Sequence, residues 1–337
     1  ALDSHSVSSR KVARNPRLLK FGNKTTSLLR DLSSGQKLLS SSAKRTPSDI
    51  EERAATVRLA KRIMQDKNVK YAEPNFLIEA FNTSPNDPLY PYQWHYPQIN
   101  LPRAWDLTTG SSDVIVAVLD TGIVASHPDL ESRVTSDGYD FISDAAVSGD
   151  GDGIDANPSD PGDAKDNSSC PSDTEGDRSS WHGTHVAGTI GAASNNSIGV
   201  AGVTWSTQIM DIRVLGCQGG TSYDVAQGIR YAAGLTNDSG TLPVQRADII
   251  NMSLGGSYPA RVEEDANKEA RQAGVIIVAA AGNDAEEGNP IGYPASFEGV
   301  ISVGATNSAK ERAAYSQFNR YVDISAPGGY VFDRDGD

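Results

Sequence analysis

Five short stretches of the chain are runs of apolar, largely β-branched residues: DVIVAVLD (113–120), TQIMDIRVL (207–215), ADIINMSL (247–254), VIIVAAAG (275–282) and VISVGAT (300–306). Near-continuous apolar character over so few residues, in place of polar–apolar alternation, is the pattern of strands buried on both faces of a parallel sheet. Between them the pattern lengthens to a helical period near residues 184–193, 222–236 and 260–273. Strand and helix in alternation predict a sheet covered by helices, with functional groups at the carboxyl ends of the strands. Asp120 closes the first run, and Asn283 directly follows the fourth.

Ahead of this region the pattern changes. Asp49, Glu51 and Glu52 supply an acidic helix start, Val57, Ala60, Ile63 and Met64 recur at helical spacing, and Phe76–Phe81 read as a strand. The segment NTSPNDPLYPYQW has the composition of an exposed linker, so a boundary is expected near residues 80–84, dividing 1–82 from 83–337. Charge divides the same way: residues 1–80 hold 16 Lys and Arg against 8 Asp and Glu, the remainder 14 against 35. The basic residues are scattered among Ser and Leu without interleaved aromatics, which favours a solvated surface or docking onto the acidic part over nucleic-acid binding. No apolar run approaches the roughly 18 residues of a membrane span, so no membrane partner is expected. The stretch ALDSHSVSSRKVARNPRLLK has no apolar core followed by a small-residue cleavage site, so it does not read as a signal peptide.

The segment SSWHGTHVAG (179–188) puts two of the chain's five histidines three residues apart, among residues too small to bury them. Two histidines one helical turn apart can share a metal ion. The remaining histidines, His5, His95 and His127, have no cysteine or carboxylate spacing that completes such a site. The other reading is catalytic, with a histidine at a helix start and a closely packed helix behind it.

These blocks decide between the readings. In order along the chain, VLDTGIVASHPDL, HGTHVAGTI, NNSIGVAGV, NMSLGG, AAAGND, YPA and SAPG resemble the motifs of the subtilisin-type serine proteases, the subtilases, from about residue 85 onward. YAEPNF resembles the end of the inhibitory propeptide that precedes many members. The resemblance implies an α/β fold, a subtilisin-like parallel sheet with helices on both faces, preceded by a small α+β propeptide domain. It implies a secreted, extracellular serine endopeptidase acting on protein and peptide substrates, with its own propeptide as intramolecular inhibitor. His182 would be the general base, Asp120 its orienting carboxylate and Asn283 the oxyanion donor. His185 would be a buried structural residue facing the helix interior. Ser253, Leu254 and Gly255 on one side, and Gly219, Gly220 and Thr221 on the other, would be the edges between which a substrate pairs as an added strand. Ala280, Ala281, Gly282, Tyr293 and Pro294 would wall a roomy apolar pocket.

Calcium is the implied cofactor. The resemblance places one site at Asp87, Asp129 and Asn196 with carbonyls around Ser194, Ile198 and Val200. A second is expected in the insertion between Asp120 and His182, where residues 144–177 carry ten acidic side chains against one lysine, Lys165. Asp150, Asp152, Asp155 and Asp163 are its candidate ligands. An acidic loop without fixed structure fits the same composition. An extracellular setting implies a disulfide between the two cysteines, Cys170 and Cys217. After SAPG the family continues to a Gly-Thr-Ser segment that carries the nucleophile. No serine among the 337 has that setting, Ser253, Ser316 and Ser325 included. The chain is therefore expected to be partial, completed by a C-terminal remainder and inactive alone. Two other readings are a subtilase-fold binding protein without catalysis and a calcium-dependent adhesive module.

Overall fold

The structure is a computed structural model that describes residues 17–20, 57–65, 69, 72–75, 83–163, 179–217 and 219–330. The chain separates into two compact units, Ala1–Ala80 and Phe81–Asp337. In the first, β1 (Arg17–Lys20) pairs antiparallel with β2 (Ala72–Asn75), Arg17 opposite Asn75. Residues 57–63 are helical (α1). Of the four apolar positions expected on its inner face, Ala60 is buried while Val57 and Met64 are exposed. Met64 lies in the turn just past the helix, so it is not held on that face. The strand expected at Phe76–Phe81 falls outside the described residues.

The second unit opens with two short helices, α2 (His95–Gln98) and α3 (Leu101–Trp105). Tyr96 and Trp105 from these helices pack edge to face at 5.5 Å, over Ala201. Then come β3 (Ile115–Asp120), β4 (Tyr139–Asp140), α4 (Ala145–Ser148), α5 (His182–Gly191), β5 (Gln208–Arg213) and α6 (Ser222–Ala232). β6 (Ile249–Met252), α7 (Arg261–Gln272), β7 (Ile276–Ala280), β8 (Ile301–Thr306) and β9 (Ile324–Pro327) follow. The seven strands form one parallel sheet in the order β4-β5-β3-β6-β7-β8-β9.

The five apolar runs are the five inner and near-inner strands, and β3 shows why they carry no alternation. Ile115, Ala117 and Leu119 pack into the large core with Ile229 of α6 and Ala266 and Ala270 of α7. Val118 points to the other face, into a cluster with Ala187 of α5, Ile123, Leu130 and Ile209. Both faces are covered, so both sets of side chains must be apolar. The chain leaves β3 toward β5 and β4 on one side and returns to β6 on the other. That reversal places a crevice at the carboxyl end of β3.

Candidate active site

Asp120 is the last residue of β3 and is 1% exposed. His182 is the first residue of α5, after Trp181 in the left-handed conformation at φ 50°. Gly183 allows the helix to start directly over the strand end, because a Cβ there would lie 2.3 Å from the carbonyl oxygen of Gly122. The result is a 2.7 Å hydrogen bond between His182 Nδ1 and Asp120 Oδ1, which also accepts the Thr121 N–H at 2.8 Å. The imidazole is 46% exposed. With Nδ1 given to the carboxylate, Nε2 is the nitrogen left to exchange a proton with a reactant. The Asp120 hydrogen bond raises the His182 pKa, against the opposing effect of burial, and the charges of Asp120 and Asp163 add to the rise.

His185 corrects an expectation, for it is exposed. The buried positions of α5 are Gly183, Ala187 and Gly191, four residues apart on one face, and His185 stands nearly opposite that stripe.

Asn283 lies three residues past the end of β7, exposed, at the same carboxyl edge of the sheet as Asp120. Its loop is set by Gly282, with φ 110°, where a Cβ would fall 1.5 Å from Gln317 Oε1. Gln317, buried and unread in the sequence, donates its N–H to the Gly282 carbonyl at 3.1 Å and its amide to the Pro290 carbonyl. Ala281 beside it is buried.

The two expected substrate edges follow the strands that flank β3. Ser253, Leu254 and Gly255 come just after β6, with Leu254 packed against the core and Ser253 Oγ accepting from Asn251 Nδ2 at 3.1 Å. Gly255 lies against Tyr293, whose backbone makes two 2.9 Å hydrogen bonds with Gly256. The Tyr293 ring packs on Phe297 at 4.9 Å. Gly219, Gly220 and the Thr221 N-cap of α6 lie after β5. Ser316 is buried, with its hydroxyl taking the Ala305 N–H at 2.8 Å.

Asp87 and Asp129 are both buried and meet on the 194–200 loop. Asp87 accepts the N–H groups of Asn195 and Asn196 at 2.7 and 3.1 Å. Asp129 accepts Asn196 Nδ2 and the Val200 N–H at 2.9 Å each. Ser194 Oγ takes the Gly202 N–H, and Ile198 N–H goes to Asn196 Oδ1. Two buried carboxylates, an asparagine and loop carbonyls are hard oxygen donors of the kind calcium takes, so the residues fit in donor type.

The acidic insertion differs from expectation, because its four candidate ligands do not converge. Asp150 pairs with Arg213 Nη1 at 2.6 Å, Asp155 accepts the Asn157 N–H at 2.8 Å, Asp152 is exposed, and Asp163 accepts Ser180 N–H and Oγ–H at 2.5 and 2.7 Å. Among the described residues no three His, Cys, Asp or Glu side chains group as a metal site. Asp150 is taken instead by Arg213, which the apolar run of β5 concealed. Its guanidinium, 1% exposed, also pairs with Asp140 at 2.5 Å, reaches the Ser148 carbonyl, and donates from Nε to the Thr121 carbonyl at 3.2 Å. Burial pushes Asp140 up to about 7 even beside this cation. Cys217 is not a free thiol, and Cys170 lies outside the described residues.

Known proteins are similar to this chain. An extracellular protease of Xanthomonas campestris is 41% identical over 83% of the chain and 48% of its own length. An extracellular basic protease of Dichelobacter nodosus is 38% identical over 79% of the chain and 45% of its own length. The chain thus spans about half the length of these relatives. Thermitase of Thermoactinomyces vulgaris is 35% identical over 74% of the chain and 75% of its own. A solved structure from Pseudoalteromonas arctica, titled as a protease, superposes with a TM-score of 0.69 at 41% identity, covering 75% of each chain. With the subtilase family pattern matching residues 111–336, across the sheet and both ends of the Asp120–His182 pair, the chain belongs to the subtilase family.

Proposed function

We propose that the chain is part of a secreted serine endopeptidase, and the observation that carries this is the 2.7 Å Asp120–His182 hydrogen bond at the carboxyl end of β3. His182 Nε2 takes the proton of a serine hydroxyl as its oxygen bonds to the substrate carbonyl carbon. The same nitrogen returns the proton to the amine as the C–N bond breaks, and water then releases the acyl group by the same route. Asp120 fixes the ring through Nδ1 and stabilises the imidazolium. Asn283 donates its amide to the oxyanion. The nucleophile is assigned to the serine of a Gly-Thr-Ser segment outside residues 1–337.

Protein and peptide substrates pair between Gly219–Thr221 and Ser253–Gly255, and the small walls at Ala281 and Gly282 favour large apolar side chains. Residues 1–80 act as an inhibitory propeptide, and their positive balance matches the acidic catalytic unit. Asp87, Asp129 and Asn196, with the carbonyls of Ser194, Ile198 and Val200, would hold calcium, which would supply the positive charge that offsets the two buried carboxylates. Cys170 and Cys217 form the disulfide that ties the insertion to the body. The extracellular names of the relatives support export.

The test is hydrolysis of an apolar peptide by the protein extended through that segment. A serine-directed phosphonofluoridate should abolish it, as should His182→Ala. Turnover by residues 1–337 alone, with the label on a serine inside them, would overturn the assignment of the nucleophile.

A further inference from the structure

Every polar group of Thr121, the residue after Asp120, is committed. Its N–H goes to Asp120 Oδ1 at 2.8 Å, and its carbonyl accepts Arg213 Nε at 3.2 Å. Its hydroxyl accepts the Gly183 N–H at 3.0 Å and donates to Asp160 Oδ2 at 2.9 Å. A hydroxyl has one proton. Because Asp160 takes it, a lone pair is left aimed at the first turn of α5. Asp160 is itself held, its Oδ1 accepting the Gly162 N–H at 2.8 Å.

The same short segment touches the helix start a second time. Asp163 accepts both the N–H and the Oγ–H of Ser180, whose Oγ accepts the His182 N–H at 3.3 Å. Between these arms, Gly162 sits so close that a Cβ would fall 2.5 Å from Ser179 Oγ and 3.3 Å from the Trp181 ring. Residues 160–163 therefore grip α5 on both sides of His182, and Arg213 anchors the insertion that carries them.

We propose that Asp160 is a positioning residue which, through the Thr121 hydroxyl and the Gly183 N–H, fixes α5 at the angle that lets His182 Nδ1 meet Asp120. This rests on the reading of His182 as the base. It assigns to the insertion a task in the active site that needs no bound cation.

The test is proton NMR on the 337-residue chain, reading two signals that do not require turnover. One is the low-field proton of the Asp120–His182 hydrogen bond, and the other is the exchange rate of the Gly183 amide. Asp160→Ala should lose the low-field proton and speed Gly183 exchange. Asp160→Asn, which removes the charge but keeps an acceptor oxygen, should retain both signals. Thr121→Val, equal in shape, should reproduce the alanine variant, and the pair Asp160→Ala/Thr121→Val should be no worse than either alone. Should one variant fail to fold, the other reads the same link. Equal behaviour of Asp160→Ala and Asp160→Asn would mean that charge alone acts and would overturn the proposal, as would an alanine variant with both signals intact. Absence of the low-field proton in the unsubstituted chain would instead sink the Asp120–His182 pair and the peptidase reading, while Gly183 exchange would still decide for or against the brace.

Discussion

Glu263 lies in the first turn of α7 and is only 5% exposed, with Ser222 at the start of α6 as its side-chain partner. Burial pushes its pKa from 4.5 to about 7, the Ser222 hydrogen bond offsetting only part of the rise. In the unfolded chain the same carboxyl would titrate at its ordinary value, so between those two pH values the folded state binds the extra proton. Stability must then fall as pH rises through this window. At about 1.4 kcal/mol per tenfold change in the proton equilibrium, the rise is worth roughly 3 kcal/mol. That figure is a ceiling, because the amino ends of two helices favour the charged form. Glu263→Gln keeps an oxygen and an amide for Ser222 and cannot ionise. The variant should match the parent at pH 4 and exceed it by about 2–3 kcal/mol at pH 8.

Urea unfolding followed by tryptophan fluorescence measures this for the second unit alone, since all four tryptophans (Trp94, Trp105, Trp181, Trp205) lie in it. His182, with its raised pKa, and Asp140 change ionisation in the same direction over neighbouring pH. The difference between parent and variant at each pH cancels them. A difference that stays constant from pH 4 to 8, or a variant less stable at pH 8, would refute the claim that Glu263 is buried largely as the neutral acid.

In the extended, active protein, Asn283→Ala should lower kcat about 10²–10³-fold with little change in KM, the size found when the oxyanion donor of a subtilisin is removed; an unchanged kcat would exclude that role. Because the base works only when neutral and Asp120 raises its pKa, the acid limb of the kcat/KM profile should lie above the ordinary imidazole value of 6.5, and a limb below it would contradict the hydrogen bond. Arg213→Met leaves Asp140 buried without its cation, which should cost about 3–5 kcal/mol by chemical denaturation. A loss under about 1 kcal/mol would show that the cluster contributes little.

How much of this could be read from residues alone depended on range. The inner strands were legible because burial on two faces leaves an uninterrupted apolar signal, and His182 was legible because it opens the His-Gly-Thr-His block at a helix start. β4, two residues long, and β9, with Ile324 exposed at 59%, carry too little apolar pattern to register. The orientation of His185 was hidden because the stripe that buries α5 is Gly183, Ala187 and Gly191, and glycine gives no hydrophobic signal. Arg213 was hidden for another reason. Its partners Asp150 and Asp140 are 63 and 73 residues away, a separation that no local pattern encodes.

The acidic insertion shows where local pattern misleads. Aspartates spaced by glycines fit a loop that wraps a cation, but they fit equally a chain of turns in which each carboxylate accepts the N–H two residues ahead. The second pattern recurs along the described part of the insertion. Asp140 accepts from Ile142 at 2.7 Å, Asp144 from Ala146 at 2.9 Å, Asp155 from Asn157 at 2.8 Å and Asp160 from Gly162 at 2.8 Å. Turn bonds of this kind turn one oxygen of each carboxylate toward its own backbone, although Asp155 and Asp150 remain close enough to Asp152 to raise its pKa. The repulsion that made a cation look necessary is offset in part by Arg213, which pairs with both Asp140 and Asp150. Asp160 and Asp163 keep oxygens for Thr121, just past β3, and for Ser180, just before α5. Composition gave the two loops the same appearance. What separates them is where the remaining carboxylate oxygens go: those of Asp140 and Asp150 go to Arg213, and those of Asp160 and Asp163 to the residues on either side of His182.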